Sequence, residues 1–121
     1  MLDRAAPILL VALGGALGAV ARFLVTSGFA RRLGADWPWG TLFINLSGCF
    51  LIAVLTARLE SPNLRYLLPI GFVGAYTTFS TFEYETLQLI QLGRPASALA
   101  YVVGSNVLGF GAVLLGNWVA R

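Results

Sequence analysis

The sequence has few charges: only 11% of its 121 residues are Asp, Glu, Lys or Arg, whereas an ordinary soluble domain carries roughly 25%. So small a soluble domain has too much surface to leave so few charges. Histidine is absent and there is one cysteine, so transition-metal chemistry has almost no ligands. The basic residues are scattered along the chain, which argues against a nucleic-acid-binding patch.

What the chain has instead is long apolar runs. Four stretches carry no charge: residues 5–21, 37–57, 66–82 and 95–120. A helix of about 20 apolar residues crosses a bilayer core about 30 Å thick. Two of the stretches reach that length alone, and the other two reach it with their flanks. The sequence therefore predicts an all-α integral membrane protein in which residues 1–121 form a single domain of four transmembrane helices.

The first apolar run, at the N-terminus, superficially resembles a signal peptide. Asp3, however, offsets the charge of Arg4, and the apolar run continues toward Val25. We therefore expect a retained first span over residues 7–26. Cys49, the one cysteine, lies in the middle of the second span and is expected to be a small packing residue.

The arginines are divided equally between the two sides of the predicted bundle. One side receives Arg22, Arg31, Arg32 and Arg94, and the other receives Arg4, Arg58, Arg65 and Arg121. Orientation normally follows an excess of basic residues in cytoplasmic loops, so an equal count predicts insertion in both directions and an antiparallel assembly of identical subunits. A weak bias that selects one orientation is the alternative.

The first, second and fourth predicted helices carry polar or small residues at positions of interest. Gly14 and Gly18 of the first helix have the GxxxG spacing that favours close helix packing. Asn45 lies inside the second helix, residues 39–57, either as a hydrogen-bonding contact between helices or as a donor lining a polar path. Tyr101 and Ser105 share one face of the fourth helix, residues 96–118, because they are spaced i, i+4.

Residues 74–85 read GAYTTFSTFEYE, an unusual run for a hydrophobic span. Gly74 is a poor helix former, and threonine hydroxyls compete for backbone hydrogen bonds. We therefore expect the third helix, which starts near residue 64, to be broken near its middle, at residues 74–77. Backbone carbonyls freed by a break are suitable ligands for Na⁺; a simple kink is the alternative.

Two aromatic rings follow the expected break. Phe79 and Phe82 share a helix face because they are spaced i, i+3, and such pairs usually serve packing. Here hydroxyl residues lie between them. Since the edge of an aromatic ring is positive, ring edges can stabilise a small anion without holding it as tightly as a full charge would. The residues thus indicate a path lined by uncharged donors, without naming the ion.

With TTFSTF in helix 3 and GTLFIN in helix 2, the chain strongly resembles the Fluc (CrcB) fluoride channel family over nearly its whole length. The resemblance implies an antiparallel, dual-topology homodimer with two fluoride pores and a structural Na⁺ at its centre. It implies passive export of toxic fluoride from the cytoplasm across the plasma membrane of a prokaryote, the inner membrane in a Gram-negative cell. Neither enzymatic activity nor an organic cofactor is expected.

The same resemblance assigns roles to individual residues. The backbone carbonyls of Gly74 and Thr77 match those that bind Na⁺, and Arg22 and Glu85 lie at the vestibule. The matching fluoride-pore residues are Asn45, Phe79, Ser80, Thr81, Phe82, Tyr101 and Ser105. The chain departs from the family pattern at Tyr76, where a smaller or aliphatic residue is frequent, and at Gly109, where some members have serine.

Two other classes of small membrane protein share some of these features. A multidrug-resistance-type antiporter has the same size and topology, but it needs a glutamate in its first helix, and residues 1–26 contain none. A membrane scaffold subunit would account for the glycine patches but not for the run of hydroxyls and phenylalanines.

Overall fold

The computed structural model describes residues 2–121, with side chains from Arg4 onward. Its order of elements is α1 (Leu2–Leu33), α2 (Trp39–Arg58), α3 (Pro62–Arg65), a π-helical segment (Tyr66–Val73), α4 (Gly74–Tyr76), α5 (Phe79–Gln91) and α6 (Pro95–Val119). Among these residues there is no strand. The expected all-helical fold is confirmed.

Among the described residues, three helices are long and apolar enough to cross a membrane: Arg4–Leu33, Trp39–Arg58 and Pro95–Val119. They match the first, second and fourth predicted spans. The region predicted as the third span is divided among α3, the π segment, α4 and α5. Large apolar side chains, among them Leu17, Val107 and Phe110, are exposed along the long helices, as expected where helices face lipid or another protein.

The first helix is longer than predicted. It continues past residue 26 to Leu33, so Arg22 lies well inside it. At about 1.5 Å per residue, the helix exceeds the thickness of a bilayer core. Arg31 and Arg32 occupy its last turn, where positive charge is favourable, and Gly34 ends it with a φ of +80°, a conformation that glycine adopts readily.

Glycines set how closely α1 approaches the third region. The main partner of α1 is the π segment. A Cβ added at Gly14 would collide with the carbonyl oxygen of Leu67, and one added at Gly18 would collide with that of Phe72. The predicted packing role of the Gly14–Gly18 pair is therefore confirmed. The other extensive interface between helices is that of α2 with α6, where Gly116 lies against the backbone of Phe50.

The helix of the third region is irregular before it is interrupted. Pro69 lies inside the π segment; its missing N–H and its ring disturb a regular α-helix. Gly74 to Tyr76 are nevertheless helical, and the extended residues are Thr77 (φ −82°, ψ 157°) and Thr78 (φ −150°, ψ 115°). The interruption therefore consists of Thr77 and Thr78. Residues 74–76 of the predicted range are helical, and Thr78 lies one residue beyond that range. The reason lies in a contact with α2.

Candidate functional site

Asn45 of α2 captures the backbone of Thr78 at the interruption. Its Oδ1 accepts a hydrogen bond from the Thr78 amide at 2.9 Å, and its Nδ2 donates to the Thr78 carbonyl at 3.2 Å. Both polar atoms of the Asn45 side-chain amide are therefore hydrogen-bonded to the same residue, Thr78. This pairing replaces the helical hydrogen bonds that the extended residue cannot make, which explains why the helix opens where it does.

The interruption frees two carbonyl groups of their usual helical donors. The Thr78 amide, which would close a helical turn on Gly74, donates to Asn45 instead. In a regular helix the Thr81 amide would donate to the Thr77 carbonyl. Here it donates to the Thr78 hydroxyl at 3.2 Å. Gly74 and Thr77 also line a common open cavity of about 280 Å³ between α2 and the interrupted helix.

Three hydroxyl side chains cluster at the start of α5. The Thr78 hydroxyl caps this helix and also lies 3.1 Å from Oγ1 of Thr81 and 3.4 Å from Oγ of Ser80. Thr78 is buried, whereas Ser80 and Thr81 are exposed on the outside of the chain. The cluster thus leads from the interior of the bundle to its surface.

The two phenylalanines are in contact but lie in different surroundings. Their ring centroids are 6.0 Å apart, so the predicted shared face is confirmed. Phe79 is 74% exposed, whereas Phe82 is 5% exposed. The rings of Phe82 and Tyr101 meet edge to face with centroids 4.9 Å apart, and the rings of Trp37 and Tyr101 meet edge to face with centroids 5.4 Å apart. Each of these T-shaped contacts sets a positive ring edge against a negative ring face.

Glu85 is hydrogen-bonded to α6. Its Oε1 accepts a hydrogen bond from the Tyr101 hydroxyl at 3.4 Å. Glu85, Thr41 and Arg22 all line an open cavity of about 850 Å³. The two residues expected at a vestibule therefore share one cavity, which also reaches Thr78 and Thr81.

Ser105 lies on the inner face of α6, one turn beyond Tyr101. Its hydroxyl is buried and has no hydrogen-bond partner in the described part of the chain. Because buried polar groups are nearly always paired, the unpaired Ser105 hydroxyl is an exception in the described residues. One turn further, a Cβ at Gly109 would meet the Cys49 sulfur at 3.6 Å, so a small packing role for Cys49 fits its surroundings.

The structure brings together most of the predicted site residues and adds others. Tyr101 contacts both Phe82 and Glu85, and Asn45 reaches the interruption. Thr41 and Trp37 were not predicted. Thr41 precedes Asn45 by one helical turn and so shares its face, which is a signal in the sequence; nothing comparable identifies Trp37, whose turn is typical of an interfacial aromatic belt.

The amino-acid sequence matches a known protein family. Residues 9–117 match the model of the family described as CrcB-like protein, Camphor Resistance (CrcB). The chain belongs to the CrcB family. It is 50% identical to a protein of Nitrobacter winogradskyi over 94% of both chains. It is also 53% identical to a protein of Acidobacterium capsulatum over 92% of this chain and 93% of the relative.

A third relative, from Anaeromyxobacter sp. (strain K), is 49% identical over 95% of this chain and 98% of its own. Each of the three is named "Fluoride-specific ion channel FluC", so the family is one of channels and not of enzymes. With three candidate spans and relatives from bacteria, the expected location in a prokaryotic plasma membrane, as a multi-pass protein, is confirmed.

Proposed function

We propose that this protein is a fluoride-selective channel that exports toxic fluoride passively from the cytoplasm. The observation that carries the proposal is the roughly 50% identity, over nearly the whole chain, with relatives named as fluoride-specific ion channels. HF is a neutral weak acid that crosses membranes, and F⁻ is trapped inside at the higher pH of the cytoplasm. A passive pore for the anion then lowers its internal concentration.

The proposed path for fluoride is lined by donors without formal positive charge. Its side chains are Asn45, Phe79, Ser80, Thr81, Phe82, Tyr101 and Ser105, with Arg22 and Glu85 at the vestibule. The unpaired Ser105 hydroxyl and the ring edges of the phenylalanines offer weak, successive interactions to an anion that has shed water. Such interactions let the ion enter and also leave.

We propose that the functional unit is an antiparallel homodimer with two pores, in which the interrupted region forms the third span. Support comes from the surface of the single chain. Phe79, Ser80 and Thr81 belong to the proposed path, yet all three are exposed, so one chain does not enclose them. A second copy packed there would complete the path, and the equal division of arginines favours opposite orientations of the two copies.

The residues at the interruption fit a hard cation such as Na⁺. The carbonyls of Gly74 and Thr77 have lost their helical donors, and oxygen atoms are the ligands such ions prefer. Among the side chains described, those of residues 4–121, no group of three or more His, Cys, Asp or Glu is placed to hold a metal, so the backbone would supply the protein's ligands. When bound, the ion would supply positive charge near the path and hold the interrupted helices of two subunits together.

The proposed function is tested with purified protein in liposomes loaded with fluoride or chloride, followed with an ion-selective electrode. We expect fluoride efflux and little chloride efflux. Absence of fluoride efflux, or equal efflux of chloride, would overturn the channel proposal, and proton flux driven by a cationic drug would favour an antiporter. Light scattering of the detergent-solubilised protein tests the dimer, since a monomer of 12.9 kDa would contradict it.

A further inference from the structure

Tyr76, the last helical residue before the interruption, is hydrogen-bonded to α2. Its hydroxyl oxygen lies 2.9 Å from Oγ of Ser47. The Ser47 hydroxyl itself donates to the Phe43 carbonyl at 2.7 Å. Because a serine hydroxyl carries one hydrogen, Tyr76 is the donor to Ser47. A short chain of hydrogen bonds therefore runs from Tyr76 through Ser47 to the backbone of α2.

The ring of Tyr76 is fixed as well as its hydroxyl. Tyr76 is buried, and its ring stacks on Phe72, one helical turn earlier, with centroids 5.7 Å apart and planes 19° from parallel. The side chain thus has an apolar body held by the π segment and a polar end held by α2.

Three consecutive residues at the interruption are each held by α2. Ser47 binds Tyr76, Asn45 binds the backbone of Thr78, and the methyl group of Thr77 lies where a Cβ at Gly48 would be. The backbone between Gly74 and Thr78 is consequently fixed at several points before any ion arrives. Preorganised ligands bind more tightly because less ordering remains to be done on binding.

We propose that Tyr76 and Ser47 are positioning residues for the cation site: their hydrogen bond fixes the carbonyls of Gly74 and Thr77 in a geometry that binds Na⁺. Neither side chain need contact the ion. The inference rests on the proposed function, which supplies the ion, and goes beyond it by naming the side chains that determine the affinity of the site.

The test uses Tyr76→Phe, Ser47→Ala and the double variant, each purified in detergent. The Tm is measured against NaCl concentration at constant ionic strength, with N-methylglucamine chloride as the replacement salt, since a ligand bound to the folded state raises the Tm. We expect each single variant to need about three- to tenfold more Na⁺ for half of the stabilisation, the range typical of one neutral hydrogen bond. The double variant should need no more than the singles.

Two further variants separate positioning from general stability. Ser47→Thr keeps a hydroxyl and should retain the wild-type Na⁺ midpoint. Tyr84→Phe removes a hydroxyl from an exposed residue of α5 and should leave the midpoint unchanged. A merely structural hydrogen bond would lower the Tm equally at every Na⁺ concentration, and that result for Tyr76→Phe would overturn the inference.

Fluoride efflux from liposomes distinguishes failure of the inference from failure of the proposed function. At saturating Na⁺ the variants should conduct fluoride as the wild type does. Wild-type protein without fluoride flux contradicts the proposed function. Normal fluoride flux with a Tm that does not respond to Na⁺, or with an unshifted midpoint in Tyr76→Phe, contradicts only the cation site or its positioning.

Discussion

The two parts of the interrupted third region are held in place by different chemistry. Before Thr77, the π segment lies with its backbone carbonyls against the glycines of α1, a close backbone contact that depends on the small size of glycine. From Thr78 onward, the chain is held by hydrogen bonds and ring contacts with α2 and α6. The first part is a support, and the second carries the groups that an anion would meet. Substitutions in the two parts should therefore fail in different ways.

The largest effect is expected in the support. Gly18→Ala should lower the Tm strongly and reduce the yield of folded protein, because its Cβ would collide with the Phe72 carbonyl; overpacking of this kind costs about 1–3 kcal/mol or more. Gly28→Ala is the matched control on the same helix, since nothing lies within 4 Å of its added Cβ. Thermal unfolding in detergent compares the two. Equal losses would mean that close packing is not what Gly18 provides.

In the second part, Phe82→Ile should block fluoride flux while leaving the dimer folded. The substitution keeps an apolar side chain but removes the ring that meets Tyr101 edge to face. We expect fluoride efflux to fall by at least about tenfold, the upper range of one such ring interaction. Leu42→Ile is the control, because Leu42 packs against the same buried cluster but belongs neither to the proposed path nor to the lining of the vestibule cavity. Unchanged flux in Phe82→Ile would reject the ring-edge role.

A third prediction concerns the join between the two parts. Asn45→Asp keeps an oxygen for the Thr78 amide but turns a second oxygen toward the Thr78 carbonyl, where Nδ2 now donates. Loss of this bond beside a buried carbonyl should cost about 1–3 kcal/mol of stability, seen as a lower Tm, together with loss of fluoride flux. Asn63→Asp, on the exposed helix α3, should leave both unchanged. A stable Asn45→Asp variant that lacks flux would assign Asn45 to the path alone.

The comparison also shows how far the sequence could predict the structure. Charge-free length was enough to locate α1, α2 and α6, since crossing a bilayer depends on length and polarity. Charge-free length was not enough to locate the end of α1, because a helix can continue into water beyond the membrane. The interruption was expected from Gly74 onward, but its position depends on which amide Asn45 captures, a contact between residues 33 positions apart.

The site was predicted to a similar extent. Spacing placed Phe79 and Phe82 together, because a helix brings i and i+3 side chains to one face. Spacing could not show that one ring is buried and the other exposed, because that depends on where α6 packs. For the same reason spacing could not show that Glu85 is hydrogen-bonded to Tyr101.

The smallest effect on stability, and the sharpest separation of stability from function, is expected for Ser105→Ala. The Ser105 hydroxyl is buried without a partner in the described residues, so its removal breaks no hydrogen bond within the chain and should change stability by less than about 0.5 kcal/mol. If the hydroxyl serves a passing anion, fluoride efflux should nevertheless fall about three- to tenfold, the contribution of one hydrogen bond. Ser97→Ala, on the same helix and outside the proposed path, provides the control. A Tm that falls markedly would mean that the hydroxyl has a structural partner across the subunit interface, and unchanged flux with unchanged Tm would remove Ser105 from the path.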